Sequence, residues 1–78
     1  MRLDQLPLRH PSRIASIAWD RLDPAAARRL RELGFDEGVA VEALHHGPLG
    51  LDPIACRVGR MTIALRRAQA AAVNVEPA

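Results

Sequence analysis

The side chains in this sequence that could ligate a metal ion are few. His45 and His46 are adjacent, and they lie at the end of a stretch with the alternation of a β-strand. Neighbouring residues on a strand point to opposite faces, so His45 and His46 cannot both readily ligate one ion. A metal site also needs several ligands that converge on the ion. The sequence therefore predicts solvated histidines at a strand end, and weak divalent binding at His45 or His46 stays open as a hypothesis.

Nucleophilic chemistry has little support in the sequence. Cys56 is the only cysteine. It shares one face of a predicted strand with Ile54 and Val58, which predicts a small buried hydrophobe rather than a reactive thiol. The hydroxyl-bearing residues without a nearby acid–base partner in the sequence are Ser12, Ser16 and Thr62. Paired carboxylates, a phosphate-binding glycine-rich loop and a cysteine pair for zinc are all missing from the sequence. We therefore expect no enzymatic activity and no resident cofactor.

Arginines on one predicted helix form the first candidate for partner binding. Arg28, Arg29 and Arg31 lie away from the apolar stripe that begins at Ala26. Such a run is usually a solvated face, since exposed charges contribute little to stability. The functional interpretation is contact with an acidic patch or a nucleotide phosphate on a partner, because the guanidinium fork suits both anions.

A loop rich in glycine and proline provides the second candidate. Residues 46–53 contain two glycines and two prolines, which disfavour regular structure, together with Leu49 and Leu51. Apolar side chains on such a loop have little core to join. They form either a docking patch for a partner or a cover over an open end of the fold.

Composition limits the classes of function. The 78 residues predict one domain over 1–78, and eleven arginines against nine acidic residues leave a net charge of +2. This excess is too small to indicate a polyanionic partner, and the only aromatic residues, Trp19 and Phe35, are too few for nucleic-acid stacking. Without a cysteine pair, a signal-like apolar run or a membrane-length apolar run, we expect a cytoplasmic protein that meets membranes only through a partner.

The elements that must position these candidates begin with one helix. Asp23 can cap free amides and Pro24 is tolerated at the first helical position, so the helix is predicted from Pro24 to about Leu33. Gly34 fits the left-handed position after the last turn, where a Schellman-type end would bring Phe35 against Leu30. From Val39 the hydrophobic period becomes two, which predicts a strand where a helix-turn-helix protein needs its recognition helix.

Further strands complete the prediction. The sequence favours strands over 13–18, 39–45, 54–58 and 61–65, the last two joined by a type II′ turn at Gly59-Arg60. A short second helix over about 66–72 and a last strand over 73–75 would leave 76–78 as a frayed end. With too few crossover helices for a parallel sheet, we expect a mainly β fold, a small, partly closed antiparallel barrel whose closure hides strand edges. Short exposed edges also leave a homo-oligomer open.

The order of these signals resembles the FeoA family of small cytoplasmic proteins in bacterial ferrous iron uptake. The matching segments are Leu3 to Leu8, Arg29-Leu30 with Leu33-Gly34-Phe35 and Gly38-Val39, Pro48-Leu49-Gly50 with Asp52-Pro53-Ile54, and Ile63-Ala64-Leu65-Arg66 with Ala70 and Val73-Asn74-Val75. The sequence departs from the family pattern at Arg9-His10, where a glycine is usual, at the inserted Leu51, and at Gln69, where an acidic residue is common.

The resemblance implies an SH3-like barrel and a partner. FeoA-like proteins are thought to bind the cytoplasmic GTP-binding domain of a membrane ferrous iron transporter, which here would use Leu49, Leu51, Arg28 and Arg29. Two alternatives stay open. One is a metal-responsive module related to the C-terminal domains of iron- or manganese-dependent repressors, and the other is a small nucleic-acid-binding barrel.

Overall fold

Five strands form one antiparallel sheet in the computed structural model, which describes residues 1–50 and 52–78. The strands are β1 (Ser12–Ile17), β2 (Ala40–His46), β3 (Ile54–Val58), β4 (Met61–Leu65) and β5 (Val73–Pro77), and the helices are α1 (Pro24–Glu32) and α2 (Arg67–Ala70). The spatial order is β4-β3-β2-β1-β5. The predicted mainly β, antiparallel fold with one substantial helix is therefore confirmed. The sheet is not closed, since β4 and β5 form its two edges.

Local signals explain where α1 begins and ends. The carboxylate of Asp23 accepts a hydrogen bond from the N–H of Ala26 at 2.8 Å, which satisfies one of the free amides of the first turn. At the other end Gly34 has a φ of 90°, and the N–H of Phe35 donates to the carbonyl of Leu30 at 3.0 Å. This is the predicted Schellman-type end, and both Phe35 and Leu30 are buried.

The hairpin of β3 and β4 also follows the prediction. Val58 pairs with Met61 across a two-residue turn in which Gly59 has a φ of 58°. A positive φ at the first turn position alone is typical of the type II′ turn, which glycine adopts without steric cost. The turn residues therefore fix the register of this hairpin.

The C-terminal prediction was wrong in two details. The helix α2 spans only Arg67–Ala70, shorter than the predicted 66–72. The strand β5 runs on to Pro77, because Arg13 pairs with Glu76 and Ser12 pairs with Pro77 in the sheet. A proline is tolerated at the end of an edge strand, where its missing N–H breaks no ladder bond.

The turn before β1 has a left-handed backbone at Arg9. Arg9 has a φ of 64°, a left-handed conformation that costs a non-glycine residue roughly 1 kcal/mol. Its N–H donates to the carbonyl of Ala43 at 2.7 Å, and this bond holds the turn against β2. The arginine thus adopts the backbone that a glycine would.

One apolar core lies between the inner face of the sheet and the helices. Its fully buried large side chains are Leu3, Ile14, Leu30, Ile54, Leu65, Val73 and Cys56. None of the helices in the described part of the chain has the length and apolarity needed to cross a membrane. The interior is thus filled by side chains, and the candidate groups for function lie on the surface.

Candidate docking surface

Cys56 lies inside the core, as the sequence predicts. Its side chain is fully buried on β3, opposite Ala43 on β2 and Ile63 on β4. Burial disfavours the charged thiolate and raises the pKa of Cys56 from 9.0 to about 11. A thiol in this setting is not a nucleophile at neutral pH.

The buried thiol predicts a loss of stability in alkaline solution. Because the unfolded thiol ionises near pH 9 and the folded one near pH 11, the unfolded chain binds fewer protons in this window, and stability falls as pH rises. At pH 10 the loss should reach about 1 kcal/mol. The sequence contains no lysine or tyrosine, so no other side chain titrates there. Urea unfolding of wild type and Cys56→Ala at pH 8 and pH 10 measures the effect, and an equal loss in both proteins would contradict it.

His45 and His46 lie on opposite faces of β2, as predicted. A register shift between Ala43 and His45 places His46 opposite the buried Ile54, whereas His45 is exposed. The Nε2 atom of His46 is buried and has no hydrogen-bond partner within residues 1–50 and 52–78. In the same part of the chain, no three His, Cys, Asp or Glu side chains are grouped closely enough to hold a metal ion. Weak metal binding at His45 or His46 stays a prediction.

Leu49 is the most exposed large apolar side chain in the described structure. It lies in the 3-10 turn Pro48–Gly50 and is 94% exposed, so it does not cover the end of the fold. Its backbone is left-handed, with φ 60° and ψ 24°, which is uncommon for a branched residue and costs of order 1 kcal/mol. Leu51, the other candidate in this loop, lies outside the described residues.

Two contacts fix the base of the Leu49 loop. Gly47 lies so close to the backbone of Asp52 that an added Cβ would be 2.6 Å from the Asp52 carbonyl carbon. The carboxylate of Asp52 in turn accepts a hydrogen bond from the N–H of Arg67, at the start of α2. The two contacts join the loop to itself and to α2, and we expect them to hold the base from which Leu49 is presented rigid.

The three arginines of α1 have different surroundings. Arg31 lies over the ring of Trp19, with its guanidinium carbon 4.4 Å from the ring centroid, which is a cation–π contact. Arg29 donates from Nη2 to the carbonyl of Ala64 on β4 at 3.1 Å. Arg28 is exposed, and its guanidinium makes no hydrogen bond or ion pair with the part of the chain described here. All three arginines are exposed, and two of them, Arg29 and Arg31, also contact other parts of the protein.

These contacts bring the two sequence candidates together. Arg29 reaches Ala64 and the Leu49 loop reaches Arg67, and Ala64 and Arg67 are separated by a backbone path of about 10 Å. Arg29 and the Leu49 loop therefore flank the C-terminal end of β4. We call this region, comprising Arg29, Leu49, Thr62, Ala64 and Arg66, the β4-edge surface.

Sequence reasoning missed the part of this surface contributed by β4. The hairpin was predicted, but nothing in the sequence relates Arg29 to Ala64, which lies 35 positions away. Nor does a strand sequence show whether its outer side is paired. Chemically, the surface offers apolar area, guanidinium groups and backbone hydrogen-bonding groups, which suits binding rather than catalysis.

Comparison with known proteins shows the same domain elsewhere. The family model of the FeoA domain matches residues 1–77. The FeoA protein of Chlorobium tepidum is 32% identical, with a TM-score of 0.85 over 99% of this chain and 70% of that one. Iron(II) transport protein A of Clostridium thermocellum is also 32% identical, with a TM-score of 0.84 over 99% of this chain. This chain spans 45% of the length of the Clostridium thermocellum protein.

A third similar structure identifies the fold class. FeoA of Stenotrophomonas maltophilia, solved with zinc, is 42% identical, with a TM-score of 0.79 over 97% of this chain and 89% of that one. It is described as an SH3 domain protein and as a candidate activating factor of bacterial ferrous iron transport. The predicted SH3-like character of the fold is thereby confirmed. No curated protein sequence matches the chain.

Proposed function

The chain belongs to the FeoA family, and from this membership we propose that it is an accessory protein of bacterial ferrous iron uptake. Its partner in this proposal is the cytoplasmic GTP-binding domain of a membrane ferrous iron transporter. It works in the cytoplasm, reaches the membrane only through this partner, and carries out no chemical step of its own.

The observation that carries the proposal is the exposure of Leu49. A leucine that is 94% exposed, on a left-handed backbone and a fixed loop base, gives the isolated protein no burial energy. Burying such a side chain in a partner would release about 2 kcal/mol of hydrophobic free energy. Backbone outliers of this kind cluster at binding sites. The relatives named for iron(II) transport support the choice of a transporter as the partner.

Exposed arginines on α1 and directly after β4 would supply electrostatic complementarity to the partner. Arg28 and Arg29 are exposed on α1, and Arg66 is exposed at the end of β4. Their guanidinium groups suit carboxylates or phosphates of a GTP-binding partner. In such an interface the charges steer association, and the apolar contact of Leu49 adds to the affinity.

The test replaces Leu49 with aspartate. We expect Leu49→Asp to weaken binding of the purified GTP-binding domain at least tenfold, because a carboxylate at the contact would lose its water. Isothermal titration calorimetry measures the change. Since Leu49 contacts little of its own protein, the free energy of unfolding should stay within about 0.5 kcal/mol of wild type.

Leu8→Asp is the matched control for this substitution. Leu8 is 42% exposed in a different turn, so an effect of the added charge alone would appear equally in this variant. Binding by Leu49→Asp at the level of wild type would refute the proposed contact. Absence of binding by the wild-type protein would refute the proposed partner.

A further inference from the structure

The two edges of the sheet differ in whether another segment of the chain covers them. At the β5 edge the N–H of Val75 donates to the carbonyl of Met1 at 2.7 Å, and Arg2 forms an antiparallel bridge with Asn74. The N-terminal residues thus cover that edge. Covering a sheet edge prevents another chain from pairing with it.

In the part of the chain that the structure describes, the β4 edge has no equivalent cover. In the two-residue hairpin, Val58 and Met61 form a hydrogen-bonded pair, and such pairs alternate along an antiparallel ladder. The N–H and carbonyl groups of Thr62 and Ala64 therefore point away from β3. Within residues 1–50 and 52–78, the only hydrogen bond to these outward groups is the one from Arg29 to the Ala64 carbonyl.

The contact of Arg29 is a replaceable one. It occupies one of four outward backbone groups through an exposed side chain, and its hydrogen bond is 3.1 Å long. A guanidinium forms stronger bonds with a carboxylate than with a neutral carbonyl. An incoming acidic side chain could therefore draw Arg29 away and free the Ala64 carbonyl.

Charge along β4 and its flanking segments is mostly positive. From Pro53 to Val75 the chain contains four arginines, Arg57, Arg60, Arg66 and Arg67, and no acidic residue. Arg57 and Arg60 are exposed near one end of β4, and Arg66 is exposed at the other. Two acidic groups oppose this charge: Glu42, which lies 3.8 Å from Arg57 with a side chain only 20% exposed, and Asp52, whose carboxylate accepts the hydrogen bond from the N–H of Arg67. This edge therefore has a higher positive charge than the net +2 of the whole chain implies.

From this geometry we infer that β4 is a docking edge for an extended acidic segment of the partner, which adds to the sheet as a sixth strand. Thr62 and Ala64 provide the backbone hydrogen bonds, and Arg29, Arg60 and Arg66 pair with the acidic side chains. The inference rests on the proposed function in that the segment belongs to the GTP-binding partner. Leu49 then contacts an apolar group at the same end of the edge.

A second copy of this chain fits the edge less well. Pairing two β4 strands would bring two arginine-rich edges together, and like charges across a strand pair are destabilising. An acidic segment removes this repulsion and satisfies the same backbone groups. The occupant favoured by charge is therefore an acidic strand.

The test removes one outward N–H and leaves the ladder intact. Thr62→Pro deletes an N–H that no bond within the sheet uses, and proline is tolerated on edge strands. Thr62→Ala is the matched control, because it keeps the N–H and loses the same hydroxyl. We expect Thr62→Pro to weaken binding of the GTP-binding domain at least tenfold and Thr62→Ala to bind within twofold of wild type, as measured by calorimetry. Equal binding by both variants would refute docking at the β4 edge, even if the wild-type protein binds the GTP-binding domain.

A second measurement tests the edge independently of the partner and of how Thr62→Pro folds. Amide spectra of the isotope-labelled wild-type protein are recorded while a capped (Glu-Thr)4 peptide is added, with (Lys-Thr)4 as the control. We expect the N–H signals of Thr62 and Ala64 to shift and their hydrogen exchange to slow with the acidic peptide only. Unchanged signals would overturn the inference. The inference would also be overturned if analytical ultracentrifugation showed that the wild type self-associates and that Thr62→Pro abolishes this self-association. The occupant of the edge would then be a second copy of this chain.

Discussion

Replacing Leu30 with alanine is expected to lower the free energy of unfolding by about 3 kcal/mol. Leu30 is fully buried in the last turns of α1, and its carbonyl accepts the hydrogen bond from Phe35 that closes the helix. Removal of the side chain leaves a cavity where the helix, the sheet and Phe35 meet. In a domain of this size the melting temperature should fall by roughly 15 °C. Thermal unfolding followed by circular dichroism measures it.

Leu49→Ala provides the control, because the same atoms are removed from a side chain that is 94% exposed. Its free energy of unfolding should stay within about 0.5 kcal/mol of wild type. Similar losses in both variants would mean that the helix does not contribute the core contacts described above. The pair also separates the two roles of leucine in this chain, since Leu49→Ala should weaken partner binding and Leu30→Ala should act through stability.

Local signals made the helix and the hairpin predictable. Asp23-Pro24 and Gly34 each act through neighbouring backbone groups, so their effect does not depend on the rest of the fold. Gly59 acts in the same way at the turn between β3 and β4. The antiparallel fold then followed, because short strands with a single long helix have few other ways to bury their apolar faces.

Features that depend on distant partners could not be predicted. The shift in β2 between Ala43 and His45 arises where β2 pairs with β3, and it places His46 rather than His45 opposite Ile54. The extension of β5 to Pro77 depends on pairing with β1 across more than 60 residues. Alternation of apolar and polar residues predicts which side chains share a face of a strand. A β-bulge moves the residues that follow it to the other face, and its position depends on the strand with which the residues pair.

The candidate site was predictable in its residues but not in its arrangement. The sequence indicated Leu49, Arg28 and Arg29, and left open whether Leu49 covered the fold or faced solvent. The structure shows that Leu49 faces solvent and that Arg29 lies against Ala64. The contact between Arg29 and β4 depends on where α1 packs, and neither the helix pattern nor the strand pattern contains that information.

Gly47→Ala is expected to lower the free energy of unfolding by about 3 kcal/mol and to weaken partner binding about tenfold. The new Cβ would lie 2.6 Å from the carbonyl carbon of Asp52 and 2.9 Å from the nitrogen of Pro53, and neither backbone atom can rotate away as a flexible side chain could. Relief of the overlap requires Asp52 to move, which breaks its hydrogen bond to Arg67 and shifts the base from which Leu49 is presented. Chemical denaturation and calorimetry with the GTP-binding domain measure the two effects.

Gly34→Ala is the control that separates the effect of steric overlap from the effect of backbone conformation. Gly34 has a φ of 90° and no atom within 4 Å of the added Cβ, so its substitution costs about 1 kcal/mol through conformation alone. It lies far along the chain from the Leu49 loop, and the folded variant should bind the partner as wild type does. Gly47→Ala should lose stability and bind more weakly, because close approach rather than a positive φ requires glycine there. A Gly47→Ala protein as stable as wild type would show that the loop moves freely, and the rigid presentation of Leu49 would then be wrong.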